Sequence, residues 1–477
     1  MRFHYLLLFF LLSLSPTLLA QDTHYWTQQF GTRSALMGGA VVAEATDNSA
    51  VYYNPGGLGF IDETTISINA NLYRIENVRI ENALGQAADF RSSSFNSVPI
   101  LVGGMFRIKN PQWRVGYGLL APVDFSFKGN ARIDGQFGIV NDAESPGSEL
   151  LVGESEKSST LTEVTAAIGV GRKLNDYWSV GLTNLFTLRS LSYQRQLLVH
   201  VILNDPSETL MNTTFLQYAK YFHTRYAAKL GINYRGARWS AGFTVTTPSV
   251  GLLGNGTLAS DITAQNLKLN QPERFSGFAN DRQEKLKTQF SAPFSTSAGV
   301  QYRFNRSLLA LSVEYFGSVD PYAIIRAEPA VFVRYGSLGN NLGSEEVLTI
   351  LGGAKPVLNA ALGYERSLTE FLTLNLSFRN NMSYLDSSLK DELGYKTSIS
   401  SWDIYHATGG VTIDRSRSSM SIGLLLSSGS NSRHQENGSL SNPSEDNLLQ
   451  GIVNITSANY TSIGFLLGYT FNFNKYQ

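Results

Sequence analysis

The 477-residue chain contains no cysteine, which excludes a disulfide framework, a lipid anchor on a cysteine and any zinc site of the Cys-rich kind. Proline is scarce at 14 residues and charged residues make up only 16%. Lys plus Arg and Asp plus Glu both number 38, so no charge imbalance points to nucleic acid or to an acidic partner. After the first twenty residues no apolar run reaches the length of a membrane-spanning helix. The six histidines, at positions 4, 24, 200, 223, 406 and 434, include no His-Glu-x-x-His pair, and there is neither a Gly-x-Ser-x-Gly elbow nor a phosphate-cradling glycine loop. A hydrolase assembled from Ser, His and Asn on neighbouring strands is the one enzymatic alternative. The sequence therefore predicts no metal, no cofactor and no catalysed reaction.

What is abundant is aromatic and small. Tyr contributes 23 residues, Phe 27 and Gly 43, a mixture suited to a transmembrane β-barrel or a large β-sandwich. The compartment comes from residues 1–20, where Arg2 precedes the apolar run Tyr5 to Leu14 and Ala20 ends a stretch of smaller residues. That is the layout of a secretory signal peptide. A large secreted chain without cysteine fits a Gram-negative envelope better than a eukaryotic exterior.

Period-two alternation recurs along the rest. Leu309, Leu311, Val313 and Tyr315 alternate with Ser312 and Glu314, and Ile463, Phe465, Leu467, Tyr469, Phe471 and Phe473 alternate with Gly464, Gly468, Thr470 and Asn472. Fourteen strands follow, at about 64–76, 98–108, 112–126, 162–173, 176–190, 219–234, 237–250, 288–304, 307–318, 355–366, 369–385, 402–414, 417–428 and 459–473. Tight turns at 109–111, 174–175, 235–236, 305–306, 367–368 and 415–416 alternate with long loops at 77–97, 127–161, 191–218, 251–287, 319–354, 386–401 and 429–458. An all-β, fourteen-stranded antiparallel transmembrane barrel over residues 64–477 requires that asymmetry between its two ends. Trp113, Trp178, Trp239 and Phe371 each follow a tight turn, while Phe106, Tyr234, Phe304 and Tyr364 precede one, as an aromatic girdle would. Arg172, Arg189, Lys229, Arg303 and Glu314 are expected to face the lumen, since Arg or Lys facing lipid at mid-bilayer costs about 2–4 kcal/mol. Ala330–Val333 and Val347–Leu351 are apolar pieces suited to short strands or to loop packing, and Phe473 or Tyr476 is the aromatic that barrel-assembly machinery would read.

Residues 21–63 precede the first strand and are too many for a frayed tail. They alternate small with apolar residues and end at Asn54-Pro55-Gly56-Gly57, where Pro fixes φ, Asn54 is pushed toward an extended conformation and Gly permits positive φ. Through Met37-Gly38-Gly39-Ala40 and Ala45 to Leu58, together with the strand count, the chain resembles the FadL-like outer-membrane transporters of long-chain fatty acids and other hydrophobic compounds. The family's hatch signature is matched at Asn54 and Pro55, with Gly56 where Ala is usual.

That resemblance implies an N-terminal hatch over 21–63 plugging the lumen, a hydrophobic small-molecule ligand in a pocket against it, and lateral release through a kinked third strand into outer-membrane lipid. Phe30, Leu36 and Met37 are the expected ligand contacts from the hatch, with one Arg or Lys meeting a carboxylate. Gly116, Gly118 and Pro122 are the expected sources of the strand-three opening. The same fold also serves in secretion machinery, so a partnership with secretion-system components is the alternative.

Overall fold

The computed structural model describes residues 23–110, 112–140, 142–268, 273–333, 343–386, 397 and 399–473. The expected signal peptide and Tyr476 lie outside these. Eighteen strands are described. The first seven are β1 (Thr65–Gly85), β2 (Ala88–Arg107), β3 (Trp113–Phe137), β4 (Glu149–Lys173), β5 (Trp178–Ile202), β6 (Leu210–Arg235) and β7 (Trp239–Thr246). Next come β8 (Val250–Leu267), β9 (Phe275–Lys287), β10 (Ser295–Phe304), β11 (Ser307–Phe316), β12 (Val319–Ile325) and β13 (Ile350–Ala354). The last five are β14 (Val357–Ser367), β15 (Leu372–Asn381), β16 (Asp403–Asp414), β17 (Ser418–Ser439) and β18 (Ile452–Asn472).

Fourteen of them form a closed antiparallel ring. β1 to β7 pair in sequence order, β7 pairs β10, and pairing continues through β11, β14, β15, β16 and β17 to β18, which closes on β1 from Thr65↔Asn472. β8 and β9 extend the sheet above β7 and β10, with β8 on the upper part of β6. β12 and β13 form a separate hairpin. All fourteen expected strands are present, and the turn end carries tight connections such as Gly236 N–H to Trp239 O at 2.8 Å and Arg415 N–H to Ser418 O at 2.7 Å.

The expected long loops at 77–97, 127–161, 191–218, 251–287 and 429–458 are largely strand, because the ladders run far beyond a membrane's thickness. β5 shows why they read as loops. In its lower half Leu182, Phe186 and Leu188 are exposed while Thr183, Thr187 and Arg189 are buried. In its upper half Leu191, Tyr193, Leu197, Val199 and Val201 are buried, and Ser192, Gln194 and His200 are exposed or half-buried. The outer surroundings change from lipid to water along one strand, so the apolar face switches from outside to inside. Of the expected apolar pieces, Phe332 is buried, Ser344–Leu348 forms a short helix and Ile350–Ala354 is β13.

Trp178, Trp239, Phe371, Phe106 and Phe304 are exposed at the turn end, forming the girdle. Arg189, Lys229 and Glu314 face the lumen, and Arg303 reaches Glu44 at 3.7 Å at its lower mouth. Arg172 is a correction: it lies on the outer face beside the last turn, 5.3 Å over the Trp113 ring. At that level the charge sits among headgroups rather than acyl chains.

Two clusters fill the lumen. The upper one joins Leu161, Leu191, Leu197, Phe215, Ile324, Phe332 and Trp402, and the lower one packs Phe30, Leu36, Met37, Val51 and Leu58 against the wall. High in the upper part Lys157 meets Glu436 at 2.6 Å with both nearly inaccessible. Burial opposes ionisation of the Glu436 carboxyl, but Lys157 and His434 outweigh it and hold its pKa at about 2.

A carboxyl with a folded-state pKa below its unfolded value of about 4.3 stabilises the fold above that pH and loses the contribution as pH falls toward the folded value. Acidification from about pH 5 to about pH 2.5 is expected to lower the amide-exchange protection factors of residues 430–439, taken relative to the intrinsic exchange rate at each pH, and Glu436→Gln to remove most of that pH dependence. On the lipid face, Leu311→Arg should destabilise the barrel by about 2–4 kcal/mol in urea titrations of the protein folded into vesicles. An unchanged midpoint would contradict the placement of that face.

Candidate functional site

Residues 23–63 lie along the inner face of the ring and touch strands all around it. Thr32 Oγ1 is 2.6 Å from Thr470 Oγ1, Asn48 Nδ2 donates to Ser67 Oγ at 2.8 Å, Val42 N–H donates to Ser312 Oγ at 3.2 Å, and Thr183 Oγ1 donates to Val51 O at 2.8 Å. Two short helices, α1 (Thr32–Leu36) and α2 (Ala50–Tyr53), lead to a 3-10 turn over Pro55–Phe60. Asn54 brackets this corner. Its Oδ1 accepts from Gly56 N–H at 2.9 Å, and its Nδ2 donates to Val42 O at 2.8 Å and to Ile232 O of β6 at 3.1 Å. Pro55 begins the turn with its fixed φ.

The wall accepts this segment through glycines. A Cβ at Gly231 would fall 2.1 Å from Asn54 Oδ1, one at Gly181 would fall 2.1 Å from Pro55 O, and one at Gly242 would fall 2.0 Å from Val42 O. A Cβ at Gly56 would in turn fall 3.0 Å from Asn233 N of β6, whereas one at Gly57 would have ordinary space. Gly38 and Gly39 have φ of 62° and 82°, conformations that favour glycine.

Above the corner, the segment and the wall enclose a cavity of ≈ 130 Å³ lined by His24, Tyr25, Tyr52 and Tyr384 on one side and by β3 to β7, β10 and β11 on the other. Tyr25 stacks between Phe316 and Tyr384 at 4.2 and 4.4 Å. Glu163 is shared by Arg189 at 2.7 Å and Arg225 at 2.8 Å, and Arg189 lies 3.8 Å over Phe290. Glu314 accepts from Trp26 Nε1 at 2.7 Å and Ser295 Oγ at 2.9 Å. Lys229 is buried, with its Nζ 4.7 Å over the Tyr52 ring, and forms no ion pair among the described residues. Three cations thus face two carboxylates around one aromatic chamber.

No family model matches the chain, and no curated protein matches it. Solved structures do. The Pseudomonas putida toluene transporter TodX is 15% identical, with 95% of this chain and 100% of that one covered at a TM-score of 0.56. A Pseudomonas aeruginosa FadL homologue is 13% identical over 96% and 100% at 0.56, and the Ralstonia pickettii toluene transporter TbuX is 13% identical over 94% and 99% at 0.54. The fold is FadL-like. A closed barrel with an apolar outer band is an outer-membrane architecture.

In this FadL-like barrel, β2 and β3 pair only from Leu101↔Leu120 down to Arg107↔Arg114. Above that level β2 stays with β1 and β3 with β4. The break coincides with a bulge in β3 at Ala121-Pro122, and Pro122 and Val123 line the cavity. Gly116 and Gly118 do not contribute to it: each is paired on both sides, Gly116 with Met105 and Gly169, Gly118 with Gly103 and Ala167. Their small size admits Leu58 and Val51 from the N-terminal segment instead.

Phe30, Leu36 and Met37 are fully buried but do not line the cavity. Phe30 packs edge-on to Tyr52 at 4.6 Å. Leu36 fills the space over Gly410 and Gly423, and Met37 that over Gly363. The segment's cavity contacts are His24, Tyr25 and Tyr52, which the sequence reading missed along with Arg225 and Phe290. One readable signal was the pairing of inward glycine with outward apolar residues near the turns, as in Val180-Gly181-Leu182 and Leu230-Gly231-Ile232, which marks where another backbone approaches.

Asn54→Ala removes three hydrogen bonds from a buried corner. Faster amide exchange over residues 42–60 is expected, with the folded barrel still migrating as a compact species on unheated gels. Protection equal to the parent chain would show that the bracket carries little.

Proposed function

We propose that this barrel is an outer-membrane channel for uptake of hydrophobic small molecules bearing one negative charge, long-chain fatty acids being the class that fits best. The observation that carries this reading is the cavity between Tyr25, Tyr52 and the wall, where aromatic surface accepts an apolar body and Lys229 makes no direct ion pair among the described residues, Glu314 acting on it only through space. A buried ammonium without a direct ion pair is costly, and a ligand carboxylate would offset that cost. TodX and TbuX, by their names, carry toluene. Their likeness supports a hydrophobic cargo, and Lys229 is what favours an acid over a neutral arene.

In this reading residues 21–63 act as the hatch, held at the Asn54-Pro55-Gly56-Gly57 corner, and the β2–β3 break above Leu120 is a lateral way out to lipid, with Pro122 as its cause. No reaction is catalysed, and the protein's partners are its ligand, the surrounding lipid and, during biogenesis, barrel-assembly machinery.

Uptake of oleate and of toluene into proteoliposomes tests the reading. Lys229→Met should weaken oleate binding about tenfold, the worth of one charge-assisted hydrogen bond, and leave toluene uptake within about twofold. Equal losses for both would remove the acid preference. Absence of uptake of either, together with lost export of secreted proteins in a deletion strain, would favour the secretion-partner role.

A further inference from the structure

The ring is interrupted a second time, away from β3. β7 ends at Thr246 and β8 starts at Val250, with Pro248 between them, while β9 ends at Lys287 and β10 starts at Ser295, with Pro293 between them. The β7–β10 ladder stops at Thr246↔Ser295, and the β8–β9 ladder starts only at Asn255↔Lys287. Between these, Ser249 N–H donates to Ala292 O at 3.0 Å, Ala292 N–H donates to Ser249 Oγ at 2.8 Å, and Thr288 N–H meets Gly254 O at 3.4 Å.

Residues 250–253 therefore face 289–291 without a ladder bond in either direction. The chain at 289–291 turns inward: Gln289 N–H donates to Ile324 O at 2.9 Å and Ser291 N–H to Tyr322 Oη at 2.9 Å. Proline explains the lower end of the window, where Pro248 and Pro293 have no N–H to give a ladder.

Three features give this window a use. The cavity reaches it from inside, through Thr247, Ser249, Phe290, Ala292 and Pro293. Its outer lip is apolar, with Val250, Leu252 and Leu253 exposed at 61, 56 and 60%. Gly251 puts no side chain across the opening, and a Cβ there would meet only His223, at 3.0 Å. Val250 is level with Tyr226, eight residues above Tyr234 in the girdle strand β6, which on a tilted strand is about 20 Å. The window thus sits at the outer half of the bilayer, where an unpaired backbone edge is tolerated only beside a cavity.

We infer that this window is a second lateral portal, through which an acyl chain passes between the lumen cavity and the outer leaflet while its polar head stays among Arg225, Lys229 and the tyrosines. The inference rests on the proposed uptake of hydrophobic acids, and it adds an opening on a different wall from the β2–β3 break.

The chain has no native cysteine, so Ala292→Cys is a unique thiol just inside the window. In proteoliposomes, bilayer-dissolved pyrenylmaleimide is expected to label it, and adding Gly251→Trp is expected to cut the labelling rate about tenfold and oleate uptake about fivefold. Ser291→Trp repeats the block from the opposite lip should the first variant misfold, with migration on unheated gels as the folding check. Labelling that neither Trp slows, or no labelling at all, overturns the portal. Labelling blocked by either Trp in a barrel that takes up no oleate supports the portal and sinks the uptake reading instead. Uptake that persists in a folded, unlabelled Gly251→Trp variant shows that acyl chains do not use this window and overturns the inference.

Discussion

The structure depends on how closely the N-terminal backbone approaches the inner wall. A fourteen-strand ring is too wide for its own side chains to fill, so something must occupy the lower lumen. Here main chain is laid on main chain: Pro55 O, Val42 O and Asn54 Oδ1 lie where the side chains of Gly181, Gly242 and Gly231 would otherwise stand. Such contact leaves backbone groups that need partners, and Asn54 supplies them from both ends of one amide. An aspartate at 54 would set a negative charge against two carbonyl oxygens, and an alanine would leave Val42 O and Ile232 O without this donor.

This docking also decides where a ligand can sit. Around the glycine band the N-terminal segment is pressed on the wall, and higher up the inward faces of β3 to β6 carry large apolar side chains packed with Ile324, Phe332 and Trp402. Between these filled zones the inward positions are polar or charged, as at Glu163, Thr187, Arg189, Arg225 and Lys229, and they meet through ion pairs and hydrogen bonds rather than through apolar packing. The chamber lies between them, and its chemistry follows from lumen-facing charge meeting Tyr25 and Tyr52 of the N-terminal segment.

Legibility in the sequence followed the solvent. Strand positions in the membrane band were readable because lipid outside and polar lumen inside give a steady alternation, and the tight turns with their tryptophans marked one end. The upper halves of β4, β5, β6 and β17 were not readable as strand, because water outside and an apolar core inside reverse the alternation, and a reader sees the pattern dissolve near Ser190 in β5. Asn54 and Pro55 stood out through local turn chemistry. Tyr25, Tyr52, Arg225 and Phe290 did not, since they meet only when the ring closes and no spacing along the chain records it. Phe30, Leu36 and Met37 were chosen for their apolar character, and that character is used for packing onto Gly363, Gly410 and Gly423 rather than for lining the chamber.

Proline placement ties these strands to the chamber. Within a paired strand a proline forfeits a ladder bond, so each one in the wall marks a place where pairing is already surrendered. Pro122 stands at the β3 bulge, and Pro248 and Pro293 stand at the breaks between β7 and β8 and between β9 and β10. Of these, Pro122 and Pro293 line the chamber directly, and Pro248 is flanked by Thr247 and Ser249, which do. The ladder is thus given up on two sides of one cavity, at a level where the lumen is filled above and below. For a molecule held there, the axial directions are occupied by packed side chains and the sideways directions by a wall with fewer hydrogen bonds to break, which is the arrangement that exchange with a bilayer requires.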